Sequence, residues 1–392
     1  MKSKVLIIFK YPHQWNSFVT DKFSNYYDTE SIYISDFKNR NYTEIINDIN
    51  NLIKLKNIEI VVFDVDYFKF INFFFIEKIN CKKKILITGD DFELHELNAI
   101  TASACDIVLS TCPLSALKYK EKGYEAYVIQ FEYDPNNNNV VKNSEKKDID
   151  VLFFGHLTPD RKEFLDYIVN EGISLKNVGH REHIVGLPQD ELIKLISKSK
   201  IVLNLSKSRT IKSVKSYTSE NIYKFLYTFK GRIIIAGLNG AACVSEYSPG
   251  QELVFTDDEV PTFFTKEECV KILKKLLNDN ELLAKYTTSF NSKVENLFED
   301  RKNFLPIFNA IEKIEKRKVK LFNIPYWYLR ISTKNILLRN IKLPNIIKSI
   351  YQFHMIFSIT KNSNIFIKLL VILESIINIF WYSLLFTLKL KK

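Results

Sequence analysis

Residues 231–255, GRIIIAGLNGAACVSEYSPGQELVF, hold the most suggestive spacing in the chain. An apolar helix end and Gly240 lead into a predicted strand at 241–245. The turn Glu246-Tyr-Ser-Pro-Gly250 then opens a predicted helix whose first turn carries Gln251 and Glu252. Unsatisfied N–H groups at such a start favour an anion, as a nucleotide diphosphate would supply. An ordinary strand-to-helix connection has the same spacing. Elsewhere, Asp64-Val-Asp66 follows an apolar run and matches a pattern that can hold a metal with a diphosphate. Two solvated carboxylates at a strand end are the favoured reading, and no essential metal is expected. Asp90 and Asp91, with Glu93 and His95 just beyond, stand where a carboxylate or imidazole would take a proton from a substrate hydroxyl. Aspartate also caps helix starts, so both roles stay open. His13, after the first apolar run, is a further candidate for the same edge. The loop bearing Lys207, Arg209, Lys212 and Lys215 suits a phosphate or plain solvent. It lacks interleaved aromatics, which argues against nucleic acid.

Such groups act together only if strands end side by side. Short β-branched runs at 5–9, 31–34, 59–63 and 84–88, with a helix over 43–55, follow βαβ grammar and predict a parallel sheet. A strand at 105–110, a helix over 113–122 stopped by Gly123, and a strand at 127–131 complete that half. Asp134 and the four asparagines after it lead into a charged run that buries nothing and reads as a linker. The alternation restarts at 150–154 and ends in Gly155. A helix from Asp160, another over 187–199, a strand at 201–205 and a helix near 219–229 follow. The expected fold class is α/β, with two Rossmann-like doubly wound domains facing a cleft where ligands meet the carboxyl ends of strands. The boundaries are 1–133, a linker over 134–149, 150–318 including a return helix, and a helical tail over 319–392.

The 392 residues are 46% apolar, enough for two cores. Five widely spaced cysteines form neither a disulfide framework nor a zinc pattern, which suits a reducing, cytoplasmic setting. The apolar run in MKSKVLIIFK is too short for a signal peptide and reads as a buried strand. The net charge of +11 is uneven: from Ile331 onward nine Lys or Arg face one acid, Glu374, a balance of +8. The run at 365–388 is long enough to span a bilayer, but it contains Lys368, Glu374 and Asn378. Lys368, Glu374, Ser375, Asn378, Tyr382 and Lys389 share one helical stripe opposite Ile, Leu and Phe. This predicts a helix lying in the interface, its cations drawn to anionic lipid at the inner face of the cell membrane. Tyr326, Trp327 and Tyr328 beside Arg330 add an interfacial mix.

The segments Cys105-Asp-Ile-Val-Leu-Ser110 with Tyr119 and Gly123, Phe131 to Pro135, Asp150-Val-Leu-Phe-Phe-Gly155 with Arg161, and Ser199-Lys-Ile-Val-Leu-Asn-Leu205 occur in a recognisable order. Lys230-Gly-Arg232 through Glu252 ends the series. Over roughly residues 100–300 the chain resembles a GT-B glycosyltransferase of the family 1-like group that includes CgeB-type spore maturation proteins. The resemblance implies a metal-independent glycosyltransferase without a resident cofactor, whose substrate is a nucleotide-sugar donor. It implies that Gly155 admits the diphosphate, that Arg161 contacts its oxygens, and that Lys230 and Arg232 offset the charge of the leaving group. Asn204, Ser206, Ser248, Gly250 and Gln251 would complete the donor site. A glutamate that holds the ribose in relatives falls here on Ile233-Ile-Ile235, so that role would pass to Glu246 or Glu252. The implied acceptor is a lipid-linked or cell-envelope glycan. A catalytically inactive scaffold of the same fold, or a sugar-nucleotide epimerase, are the rival readings.

Overall fold

The computed structural model describes residues 2–12, 14–37, 40–65, 70–89, 91–130, 147–179, 187–207, 226–299, 302–315, 324–330, 332–333 and 364–389. The first half alternates β1 (Lys4–Phe9), α1 (Gln14–Ser24), β2 (Asp28–Tyr33), α2 (Tyr42–Lys56), β3 (Ile60–Asp64), α3 (Phe73–Glu77), β4 (Lys83–Thr88), α4 (Asp91–Ala102), β5 (Ile107–Ser110), α5 (Pro113–Glu121) and β6 (Glu125–Val128). Its strands pair in parallel in the order β2-β1-β3-β4-β5-β6. Strands such as Ile-Val-Val-Phe in β3 are buried on both faces, as a parallel sheet covered by helices requires. The helices are bounded by local chemistry. In α2, Asn41 and Glu44 form a reciprocal capping box, and Asn57 ends the helix in the left-handed region at φ 53°.

The second half contains β7 (Ile149–Phe153), α6 (Pro159–Asn170), β8 (Leu175–Asn177), α7 (Gln189–Ser197), β9 (Ser199–Asn204), α8 (Arg232–Leu238), β10 (Ala242–Glu246), β11 (Thr262–Phe263), α9 (Lys266–Asn278) and α10 (Asn280–Phe298). Its parallel order is β11-β10-β9-β7-β8. The order reverses between β7 and β9, so the loops after these two strands splay apart and leave a crevice. The helix predicted near 219–229 is not helical over its described end. Tyr227 bridges Lys207 in antiparallel fashion, and Thr228 N–H donates to Ser206 O. Phe229, buried, stacks on Phe255, so this segment is held extended by the core beneath it. The helix predicted after Gly250 is a single 3-10 turn, Gln251–Leu253, because Gln251 N–H is already bonded to Ser248 O.

The chain then returns. Helix α11 (Phe304–Lys313) leaves the second half and lays Phe304, Ile307, Phe308 and Ile311 into apolar packing shared by both halves. The Phe308 ring stacks on Tyr26 at 4.1 Å, and Lys83 Nζ donates to the carbonyls of Ile311 and Glu312, both at 2.6 Å. Residues 324–330 also belong to the first half. Tyr328 and Leu329 are fully buried, and the Tyr328 hydroxyl accepts from Phe73 N–H at 2.9 Å and pairs with Thr101 Oγ1 at 3.0 Å. The last helix, α12 (Ile365–Lys389), leans on the same core through Ile367, Val371 and Ile372.

Candidate functional site

Polar groups gather at the carboxyl edge of the second sheet, on the loops around its reversal point. Gly155, just after β7, has φ +110°, a conformation that side chains oppose. A Cβ there would lie 2.3 Å from Arg232 Nη2, so the guanidinium rests directly on this glycine. Arg232 Nη1 donates to Asn204 Oδ1 at 2.9 Å, and the cation sits over the rings of Phe153 and Phe154 at 5.2 and 5.4 Å. Its Nε is buried and unpaired, and no carboxylate among the described residues forms an ion pair with it. Burial, with the charge of nearby Arg161, lowers its pKa from 12.5 to about 9, so it stays charged at neutral pH. Arg232 also occupies the first turn of α8, where the helix dipole opposes a cation. Burial, the neighbouring Arg161 and the helix dipole therefore disfavour the charge, only partly offset by Asn204 and the two rings, and an anion would relieve these penalties.

A hydrogen-bonded chain holds the surrounding side chains. Asn204 Nδ2 donates to Ser206 Oγ at 3.0 Å and Ser245 Oγ at 2.9 Å. Ser245 Oγ meets Gln251 Oε1 at 3.1 Å, Ser248 Oγ meets the same oxygen at 3.4 Å, and Gln251 Nε2 reaches Thr262 Oγ1 at 3.0 Å. Asn204, Ser206, Ser245 and Ser248 are fully buried, so their orientations are fixed by each other. Glu246, at the tip of β10, is 9% exposed and accepts from Lys207 N–H at 2.9 Å. Burial raises its pKa against the opposing pull of that bond and of Arg161.

The structure brings together Gly155, Arg161, Arg232, Asn204, Ser206, Glu246, Ser248 and Gln251, and it gives some of them other tasks. Arg161 is 7% exposed, and its guanidinium is committed to three carbonyls: His156 at 2.7 Å, Leu205 at 3.1 Å and Lys207 at 2.9 Å. It pins the loop after β7 to the loop after β9, beside Arg232. Gly250, at φ +89°, is shaped by the first half: an added Cβ would lie 2.7 Å from Leu114 N and Leu114 Cβ. Its place there is a close interdomain approach rather than an anion cradle, and Glu252 is exposed on the same turn beside Tyr247. Lys230 is partly buried in the loop before α8. Ile233 and Ile234 are fully buried, so a glutamate at either position would enter the core. Phe153, Phe154, Ser245 and Thr262 went unnoticed in the sequence; the only signal was their place at strand ends.

On the first half, Asp91 does not meet the expectation of a base. It is fully buried, and its carboxylate accepts from Thr88 Oγ1 (2.7 Å), Ser110 Oγ (2.7 Å), Asn98 Nδ2 (2.8 Å) and Tyr119 OH (3.0 Å). No acceptor hydroxyl can reach it. His13 and Asp90 lie outside the described residues, as do Asp66 and Arg209, Lys212 and Lys215 of the basic loop. Among the described residues no group of three potential ligands stands together for a metal.

His95, one turn after Asp91, is 2% exposed, and neither ring nitrogen has a partner; the ring lies 4.5 Å from that of Tyr119. Burial, then the charges of Lys118 and Lys122, lower its pKa from 6.5 to about 3. The unfolded chain binds a proton near pH 6.5 while the folded chain resists until about 3. This contribution is therefore complete above pH 6.5 and lost as pH falls through that window, at most about 1.4 kcal/mol per pH unit. Urea midpoints are expected to fall between pH 7 and pH 5, and His95→Phe is expected to flatten the fall. An equally steep fall in the variant would place the acid sensitivity elsewhere.

Comparison with known proteins follows the same division of the chain. Residues 142–301 match the family described as glycosyl transferase-like. Anabaena HepE in complex with UDP and glucose is similar in structure, at a TM-score of 0.54 and 12% identity, covering 80% of this chain and 100% of that one. Sucrose-phosphate synthase from Thermosynechococcus elongatus superposes at 0.52 and 8% identity, covering 80% and 99%. An alpha-glucosyltransferase in complex with UDP-glucose and DNA containing an abasic site does so at 0.50 and 12%, covering 79% and 99%. A sequence comparison with curated proteins found no match. Residues 142–301 thus match the glycosyl transferase-like family, and the two parallel sheets with the return helix share the GT-B-like fold of these solved structures.

Proposed function

We propose that the protein transfers a sugar from a nucleotide-diphosphate donor to a hydroxyl of a lipid-linked or cell-envelope glycan at the cytoplasmic face of a membrane. The observation that carries this reading is Arg232, a cation set on Gly155 at the sheet reversal without a carboxylate of its own. In the reaction the acceptor oxygen bonds to the anomeric carbon while the bond from that carbon to the diphosphate oxygen breaks. Negative charge then grows on the leaving diphosphate, where a preorganised guanidinium is worth most. The transferred sugar needs no redox partner, and the acceptor hydroxyl's proton passes to the departing diphosphate or to solvent. Of the two carboxylates considered for the ribose, Glu246 stands on the same edge as the partners of Arg232, whereas Glu252 faces solvent.

UDP is the first nucleotide to try, since HepE was solved with UDP and glucose. A ligand at a hundredfold excess over its Kd stabilises the folded chain by about 2.7 kcal/mol, readily seen as a raised melting temperature. A panel of UDP, UDP-glucose, GDP-, ADP- and CMP-sugars is expected to give a shift with one nucleotide class. Free nucleotide should then appear only when a glycan acceptor is added. Silence across the panel would instead favour a non-catalytic scaffold, the reading suited to the isoleucines at 233–235.

A further inference from the structure

Helix α12 meets the body of the protein through one mixed face, on which Ile367, Val371 and Ile372 pack against the core. Ser375 is 2% exposed and Val371 1%, while Glu374 Oε2 is paired with Arg330 Nε at 3.0 Å. Ile365, Phe366, Leu369, Leu373, Ile376 and Ile377 are turned outward, between 36 and 74% exposed. Positions 365, 369, 373 and 376–377 fall on one stripe at steps of three and four residues. A surface helix of a soluble domain shows charges on the face turned away from the core, whereas this one shows a second apolar stripe. Among the described residues no helix is long and apolar enough to cross a membrane.

We propose that this stripe is a lipid-facing surface that seats the first half of the molecule on an anionic bilayer. The proposal rests on the membrane attachment suggested above and names the residues and the orientation that produce it. Lipid is favoured over a second copy of the chain by charge. From Ile331 onward the balance is +8, which an anionic surface attracts and an identical partner repels. The anchoring is on the first half: Tyr328, Leu329 and Val371 share its core, and Tyr328 is bonded to Phe73 N–H and Thr101. The donor cradle lies on the second half. A bilayer bound through α12 therefore brings its headgroup region to the half that does not hold the donor, and the acceptor class that fits is a glycan borne on lipid.

The test uses the full chain and vesicles of phosphatidylcholine with and without phosphatidylglycerol. Wild type is expected to sediment with the anionic vesicles, and Leu369→Glu with Leu373→Glu to weaken that binding about tenfold or more. Both positions are exposed, so the melting temperature and its response to nucleotide should be unchanged. If the glutamate pair lowers it, Leu369→Gln with Leu373→Gln removes the same apolar surface without charge. A double variant that sediments as well as wild type would overturn the stripe while leaving attachment by other basic residues. Wild type that sediments with neither vesicle would overturn both. A wild-type dimer split by the substitutions would assign the face to a second copy and likewise overturn the proposal.

Discussion

Replacing Arg232 with alanine is expected to lower turnover by roughly 100- to 1000-fold, the loss typical when a preorganised donor to developing negative charge is removed, about 2.7 to 4 kcal/mol. The effect should fall on both kcat and the donor affinity, because the diphosphate is anionic when bound and more so as it leaves. Arg232→Lys keeps a charge but loses the planar fork that meets Asn204 while lying on Gly155, and should recover only part of the rate. Stability is expected to change little. The side chain has an unpaired buried Nε, a repulsive neighbour in Arg161 and an unfavourable place in the first turn of α8. Alanine removes these three penalties together with the Asn204 bond and the ring contacts, so the variant should melt close to wild type. A group lost at little cost to folding and at a large cost to rate is what a functional site predicts. Turnover within about threefold of wild type would remove Arg232 from the mechanism, since one missing charge-assisted contact already costs about 1.5 to 3 kcal/mol.

The different partners of Arg161 and Arg232 show where sequence reasoning stops. Both were visible as arginines following strand-end glycines or a Lys-Gly pair, and the resemblance gave the first of them the phosphate. Only in three dimensions are the carbonyls of His156, Leu205 and Lys207 seen to converge on Arg161 and leave Arg232 as the cation without an acid. Backbone carbonyls carry no residue identity, so no spacing rule announces them. The parallel sheets were legible for the opposite reason. Runs such as Ile-Val-Val-Phe in β3 and Ile-Val-Leu-Asn in β9 are buried on both faces and leave a continuous β-branched signature.

Helix α12 gives a third case. Its periodicity fixed a polar stripe and an apolar stripe, and residues 365, 369 and 373 do fall together. Periodicity could not say which apolar residues meet the body, because that depends on Arg330 standing opposite Glu374 and on the first-half core that receives Val371. The Ser-Asn-Gln chain at the second sheet was similarly hidden. Asn204, Ser245 and Thr262 come from three strands, and their contact is a property of strand order.

Asp91→Ala is the second large effect, and it is expected in stability rather than rate. The carboxylate accepts four hydrogen bonds, from the ends of β4 and β5 and from α4 and α5, so it ties two strands to the helices that cover them. Alanine leaves Thr88, Ser110, Asn98 and Tyr119 facing a small cavity. The hydroxyls can turn toward one another, whereas the Asn98 amide cannot, so the net cost is about 2 to 4 kcal/mol. Asn at position 91 keeps the shape and one acceptor oxygen and should cost less. The pH dependence separates the two. Burial raises the Asp91 pKa above its ordinary 3.8 despite the four donors. For a raised acid, its share of stability is greatest below the unfolded pKa and declines as pH rises through the folded one, opposite to His95. Asp91→Asn should abolish that decline without touching the acid-side loss set by His95. Measured well below the melting temperature, either variant should keep turnover per folded molecule within about twofold, because a residue with no exposed surface cannot meet an acceptor hydroxyl. A loss beyond about a hundredfold in folded Asp91→Asn would overturn that conclusion and restore Asp91 as a base.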